Sequence, residues 1–306
     1  MKIEQRESRS ITALCSLLGY SRQAYYQQKR QSEKVSLQYD FLIKEVLEIR
    51  KNQKRLGGRK LLHKLEPFML NHHIDIGRDA FFNLLSENNL LVRKRKRRKP
   101  ITTFSDHWMR KYPNLIEGFY PTASNQLWVS DITYIIVGNG FCYLSLITDA
   151  YSRKIIGFYL SPNLAAEGCI KALKMALRNN PVLGRLIHHS DRGSQYCCSD
   201  YVKILKDNFI KISMTQNGDP RENAIAERVN GILKDELLEK AHLNYKEAVR
   251  NVSKAISIYN HQRPHGSIDY LTPFEAHFKE GKIKRRWKQY YSKKKEMEPA
   301  VELCEL

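Results

Sequence analysis

The chain has 306 residues, 42% hydrophobic and 10% aromatic, the composition of a folded protein with room for a sizeable core or two domains. No run approaches the roughly 20 unbroken apolar residues of a membrane span. The charged start MKIEQRESRS argues against a secretory signal, and six scattered cysteines without a C-x-x-C pair point to reduced thiols and a cytoplasmic setting. Fifty-two Lys and Arg against 32 Asp and Glu leave a charge of +20, so the expected partner is a polyanion.

The excess is uneven: residues 1–100 hold 23 basic and 10 acidic side chains, a net of +13. Ile11, Leu14, Cys15 and Leu18 follow helical spacing, Gly19-Tyr20 break it, and Ser21 can cap a second helix, SRQAYYQQKR. This is the outline of a helix-turn-helix, with Arg22 as a candidate DNA contact, and equally of a plain helical hairpin. A third helix is predicted over 37–50, with Leu42, Val46 and Ile49 on one face. Another opens at Gly57-Gly58 and should stop at Pro67. IGRDAFFNLLSENNLLV supplies one more, with Phe81, Leu84 and Leu85 inward. Then come seven consecutive cations, Arg93, Lys94, Arg95, Lys96, Arg97, Arg98 and Lys99, closed by Pro100. Such a run cannot pack and suits a tether lying along phosphates.

After residue 122 the pattern changes. LWVSDITYIIV, GFCYLSLITD and KIIGFYL read as strands, with GNG as a hairpin signal between the first two. A helix over Ala165–Asn179, the strand RLIHHS, the helix SDYVKILKDN and the strand IKISMT follow, then two long helices over 222–238 and 245–262. Three strands followed by alternating helices and strands predict a mixed α/β sheet.

HHSDRGSQYCCSDY, His188 to Tyr201, invites a zinc reading, but consecutive histidines on a strand face opposite ways and the cysteines lack zinc spacing. Asp191 within it lies at a strand end, where ligand groups gather, and reads equally as a turn residue. Asp131 lies mid-strand in WVSDITY, where a carboxylate needs a partner. Glu227 lies in the helix RENAIAERVNGILK. Asp149, at a strand–turn boundary, is the rival carboxylate and reads as a backbone-bonding turn residue, as does Asp219. Thirty-five residues separate Asp191 from Glu227. With this spacing, the words WVSDITY, YLSLITDAYSRKIIGF, HSDRGSQY, GDPRENAIAERVNGILK and YNHQRPHGSIDYLTPFEA, in that order, resemble the D, D-35-E transposases of the IS-three insertion-sequence family (the second-frame catalytic subunit) and, more remotely, retroviral integrases.

The resemblance implies a ribonuclease-H-like core, a mixed five-stranded sheet flanked by helices and preceded by an all-helical DNA-binding region. It implies catalytic and metal-binding roles for Asp131, Asp191 and Glu227, which would hold two Mg²⁺ or Mn²⁺ ions; hard carboxylate oxygens and phosphodiester chemistry suit that pair of dications. It implies cleavage and strand transfer at the ends of an insertion sequence, a homo-oligomer on DNA, and an upstream-frame partner protein. Lys234, seven residues after Glu227 and on the same face of an unbroken helix, is the expected DNA contact, with Arg221 and Arg228 beside it. Asn223 could orient the glutamate, bond substrate or cap the helix. The resulting division is 1–55 helix-turn-helix-like, 56–92 a second helical DNA-binding segment, 93–121 basic linker, 122–279 integrase-type catalytic core, and 280–306 a basic tail. Two other readings, a DNA-binding regulator with an inert body and a nuclease that cuts without joining, predict no joined product.

Overall fold

A computed structural model describes residues 11–92, 107–180, 184–216 and 223–284. In chain order the elements are α1 (Ile11–Leu17), α2 (Arg22–Asn52), α3 (Gly58–Asn71), α4 (Arg78–Glu87), β1 (Leu127–Val137), β2 (Gly140–Asp149), β3 (Ile155–Ser161), α5 (Ala166–Asn179), β4 (Ile187–Ser190), α6 (Ser194–Cys197), α7 (Ser199–Asp207), β5 (Lys211–Met214), α8 (Ala224–Ile232), a π-helical turn at Leu233–Leu237, α9 (Tyr245–His261) and α10 (Pro273–His277). They form two compact units. One comprises Met1–Thr103, Tyr134–Cys142 and Arg228–Tyr259; the other comprises Phe104–Thr133, Tyr143–Glu227 and Asn260–Leu306. Among the described residues no helix is long and apolar enough to cross a membrane.

In the first unit the described part of the N-terminal region is all-helical. Ser21 caps α2 as its sequence position suggests, its hydroxyl accepting from the Ala24 amide at 3.0 Å. Two expectations fail. The helix over 37–50 is not separate, because α2 runs unbroken for 31 residues; Gln31–Ser36 contains no glycine or proline to stop it. Nor does α3 stop at Pro67, which lies inside it. A mid-helix proline costs roughly 3 kcal/mol, and here Leu61 and Leu65 before it and Phe68 and Met69 after it all pack into one apolar cluster with Leu42, Val46, Phe81, Leu84 and Leu85. Tertiary burial outweighs the broken hydrogen bond. The π turn is tied to the N-terminal helices by Lys60–Glu236 at 3.3 Å, and Glu239 just beyond it by Lys54 at 2.6 Å.

The second unit is built on the five-stranded sheet, in the order β3-β2-β1-β4-β5. β2 and β3 are antiparallel, whereas β4 runs parallel to both β1 and β5. This mixed sheet, flanked by helices, is the ribonuclease-H-like arrangement. Its main core joins Trp128 and Ile147 of the sheet to Leu173 of α5, Tyr201 and Leu205 of α7, and Met214 of β5. A smaller cluster gathers Leu127, Val129, Ala150, Ile187 and Ala226. α5 lies so close on β3 that a methyl group at Gly157 would run into the Ala172 carbonyl, which is why that strand position has no side chain. Asn260 closes the edge by bonding both backbone groups of Ile155, at 3.0 and 2.9 Å.

Candidate active site

The register of β1 against β4 positions the two aspartates. Trp128 pairs with His188 and Val129 with His189 in parallel. Two residues further along, Asp131 falls level with Asp191, the first residue past β4. Paired residues of adjacent parallel strands lie about 4.8 Å apart and point to the same face, so both carboxylates rise from one side of the sheet. Asp191 is steadied by the turn after it: its Oδ1 accepts from the Gly193 amide at 3.0 Å. A Cβ at Gly193 would press on that same oxygen at 3.0 Å, so the glycine serves close approach.

The start of the helix that carries Glu227 is held to this part of the sheet by two attachments. Ala226, its neighbour, packs with Leu127, Val129 and Ile187, which alternate in phase with Asp131 and Asp191. One helical turn earlier, the buried Asn223 donates from Nδ2 to the Ser130 carbonyl at 3.0 Å. Of the three roles open to Asn223 from its sequence position, the contact made is to the strand residue next to Asp131. Glu227 itself is exposed, and Asp131 and Asp191 are half-buried. Among the described residues no group of three or more His, Cys, Asp or Glu side chains stands close enough to hold an ion. In chemistry the donor set fits a hard dication: three carboxylates, without nitrogen or sulfur ligands.

Beneath the aspartates the opposite face is closed. His188 Nε2 lies 2.7 Å from the Ser130 hydroxyl and 2.9 Å from the Tyr201 hydroxyl. Burial, and next the neighbouring His189, push its pKa down to about 3, so the imidazole is neutral. His189, equally buried but in phase with Val129 on the aspartates' side of the sheet, meets the Ser213 hydroxyl at 2.9 Å through Nδ1. Cys197 packs against Met214, 3.7 Å between sulfurs, and burial raises its thiol to about 11; it is an inert core thiol. Asp149 is wholly buried and accepts from the Asn125 amide at 2.8 Å, the Ser152 amide at 2.8 Å and the Ser152 hydroxyl at 2.7 Å. It shapes the turn.

Of the basic residues, Arg228 is exposed next to Glu227, and Arg22 lies exposed at the start of α2 with its guanidinium 5.8 Å from the Tyr26 ring centre. Lys234 is differently placed from the expectation of two regular turns after Glu227. The α-helix ends at Ile232, and Lys234 sits in the wider π turn, its ammonium 3.7 Å from the centre of the Tyr134 ring. Arg221, Asp219, the cations Arg93 to Lys99 and the tail from Arg285 lie outside the described residues.

One stretch carries a role that its sequence does not announce. His107 donates from Nε2 to the carbonyl of Arg192, directly after Asp191, at 2.8 Å. The only signal for it is the aromatic–cationic word HWMRKY near the end of the expected linker.

Known proteins give independent bearings. The family described as integrase core domain matches residues 121–220, and a second family of the same description matches residues 208–273. An uncharacterized 31 kDa protein of insertion element IS600 from Shigella sonnei is 36% identical over 263 residues, 85% of this chain and 96% of that protein. The transposase InsF for insertion sequence IS3A of Escherichia coli (strain K12) is 30% identical over 275 residues, 86% of this chain and 92% of InsF. Among solved structures, the HTLV-2 integrase catalytic core domain in complex with magnesium is similar at a TM-score of 0.40 and 17% identity, over 51% of this chain and 97% of that one.

Proposed function

Because the chain belongs to the IS-three (IS3) family of insertion-sequence transposases, enzymes of DNA transposition with an integrase-type core, we propose that it cuts DNA at the ends of such an element and joins the freed 3′-hydroxyl to target DNA, in a metal-dependent reaction at Asp131, Asp191 and Glu227. The observation that carries this reading is the parallel register of β1 against β4, which extended by two residues brings Asp131 level with Asp191 just past the end of β4, with the start of α8 held there by Ala226 and Asn223.

Those three carboxylates would hold two Mg²⁺ or Mn²⁺ ions. Bound dications supply Lewis-acid activation of the attacking oxygen and stabilisation of the leaving oxyanion. The chain's own contribution is placement. β1 and β4 set two of the ligands side by side. The Gly193 turn holds the Asp191 carboxylate, and Asn223 ties the start of α8 to β1. The neutral, buried His188 keeps that floor uncharged. Cleavage and joining are both displacements at phosphorus with different nucleophiles, so one site serves both and no covalent enzyme intermediate is needed.

Arg22, Lys234, Arg221, Arg228 and the cations Arg93, Lys94, Arg95, Lys96, Arg97 and Arg98 are the DNA contacts of this reading, and the charge of +20 supports them. Joining two ends calls for a homo-oligomer on DNA, and an upstream-frame partner protein belongs to the same proposal. The linear division into helical front end, basic linker, catalytic core and basic tail is likewise retained as the working organisation. The test is a strand-transfer assay on a labelled duplex carrying the terminal repeat that flanks the gene. Joined product in Mg²⁺ and none in EDTA is expected; nicks without joining would reduce the protein to a nuclease, and binding without cleavage to a regulator.

A further inference from the structure

Trp108 is 95% exposed, an unusual state for the residue that buries most surface when it packs. The backbone that presents it is well anchored. His107 is bonded to the Arg192 carbonyl, the Pro113 carbonyl accepts from the Met214 amide at 3.2 Å, and the Leu115 amide donates to the Ser213 hydroxyl at 2.8 Å. Met109 and Tyr112, which follow it, pack against the main core of the sheet. The indole is therefore held out in solvent by a fixed segment, one residue from a direct tie to the chain just after Asp191.

Its surroundings are cationic. Arg110 and Lys111 follow it and Arg192 lies across the His107 bond, while the acids nearest in sequence are Asp106 before it and Glu117 after it. The Arg110 guanidinium lies 5.3 Å from the Tyr112 ring centre. An exposed flat aromatic among cations, beside a site for cutting DNA, matches the chemistry of single-strand binding: a π-face for a base and positive charge for its phosphates. A base within a duplex offers no free face, whereas a base at a cut or frayed end is unstacked at little cost.

We propose that Trp108 is a stacking platform for an unpaired DNA base next to the scissile phosphate, with Arg110 and Lys111 holding the adjoining backbone. This inference rests on the transposase reading, but its test does not need catalysis. The full-length protein is titrated, in EDTA, into a fluorescein-labelled blunt duplex and into the same duplex with a short single-stranded 3′ overhang. The wild-type protein should prefer the overhang about tenfold, the worth of one stacked base. Trp108→Ala should lose that preference with an unchanged melting temperature, since the side chain is exposed, and Trp108→Phe should keep part of it. An overhang of abasic sites should bind like the blunt duplex. Replacing both Arg110 and Lys111 by Ala should weaken all three DNAs alike and flatten the salt dependence. Full overhang preference in Trp108→Ala, preference for an abasic overhang, or no preference in the wild type would overturn the proposal. So would a Trp108→Ala variant that changes the oligomeric state without DNA while binding both DNAs as the wild type does, since the indole would then meet a second copy. Failure of strand transfer with the preference intact would instead count against the active-site reading alone.

Discussion

The β1–β4 strand pair and the front half of α2 are both rich in polar side chains, yet they use them in opposite ways. Around Asp131 and Asp191 the supporting polar groups are buried and internally bonded: Ser130 to His188, His188 to Tyr201, His189 to Ser213, Asn223 to the Ser130 carbonyl. From Arg22 to Arg30 every side chain of α2 is exposed, and the helix relies there on its Ser21 cap and on propensity. A site that must place reacting atoms to a fraction of an ångström needs the first kind of construction. A surface that grips phosphates needs only charge and reach, because binding to the DNA backbone is tolerant of geometry.

The sharpest way to break this contrast is to remove charge from each region. Asp131→Asn, Asp191→Asn or Glu227→Gln should each lower strand joining by roughly a thousandfold or more, given the several kcal/mol a metal site contributes, with DNA binding retained. Joining reduced only a fewfold would remove that carboxylate from the site. Replacing Arg22, Lys29 and Arg30 together by Ala should act the other way round. Affinity should drop, and the slope of log affinity against log salt should flatten by about one for every phosphate no longer neutralised, while the reaction of DNA already bound is unchanged.

Smaller effects sharpen the picture of the buried floor. Asn223→Ala leaves the Ser130 carbonyl without its side-chain donor and should destabilise by about 1–3 kcal/mol, measured by urea unfolding, with a fall in turnover exceeding any change in DNA affinity. His188, held neutral with a pKa of about 3 against an ordinary 6.5, takes up a proton more readily in the unfolded chain. Its stabilising contribution is therefore complete above pH 6.5 and is lost as pH falls towards 3, with a slope of up to about 1.4 kcal/mol per pH unit. His188→Gln should flatten melting temperature against pH across that window; an unchanged slope would show that other groups set it. Smallest of all, the two ion pairs near the π turn should separate by exposure. Lys60–Glu236, 20% and 18% exposed, should lose more on Glu236→Ala than Lys54–Glu239, 72% and 60% exposed, loses on Glu239→Ala, where about 0–1 kcal/mol is expected.

The parts of the fold governed by local pattern were legible in the residues. β1 and β2 run over the stretches LWVSDITYIIV and GFCYLSLITD because β-branched and aromatic residues there end at a Gly-Asn turn. Asp191 and Glu227 are proposed through the family words around them; strand end and spacing alone would leave each with an ordinary structural role. What escaped depends on interactions between distant residues. The continuity of α3 through Pro67 follows from burial of Phe68 and Met69. The π turn at Lys234 goes with its approach to the Tyr134 ring. The anchoring of His107 on Arg192 spans 85 positions, and no periodicity records it.

The central claim is that Asp131, Asp191 and Glu227 ligate the catalytic ions, and a metal-specificity switch tests it most directly. Each acid is replaced in turn by Cys, and strand joining is measured in Mg²⁺ and in Mn²⁺; thiolate is a poor ligand for the first and a better one for the second. The account predicts no joining in Mg²⁺ and recovery in Mn²⁺ for substitutions at these three positions. Any one of the three variants joining DNA in Mg²⁺ as well as the wild type would contradict it.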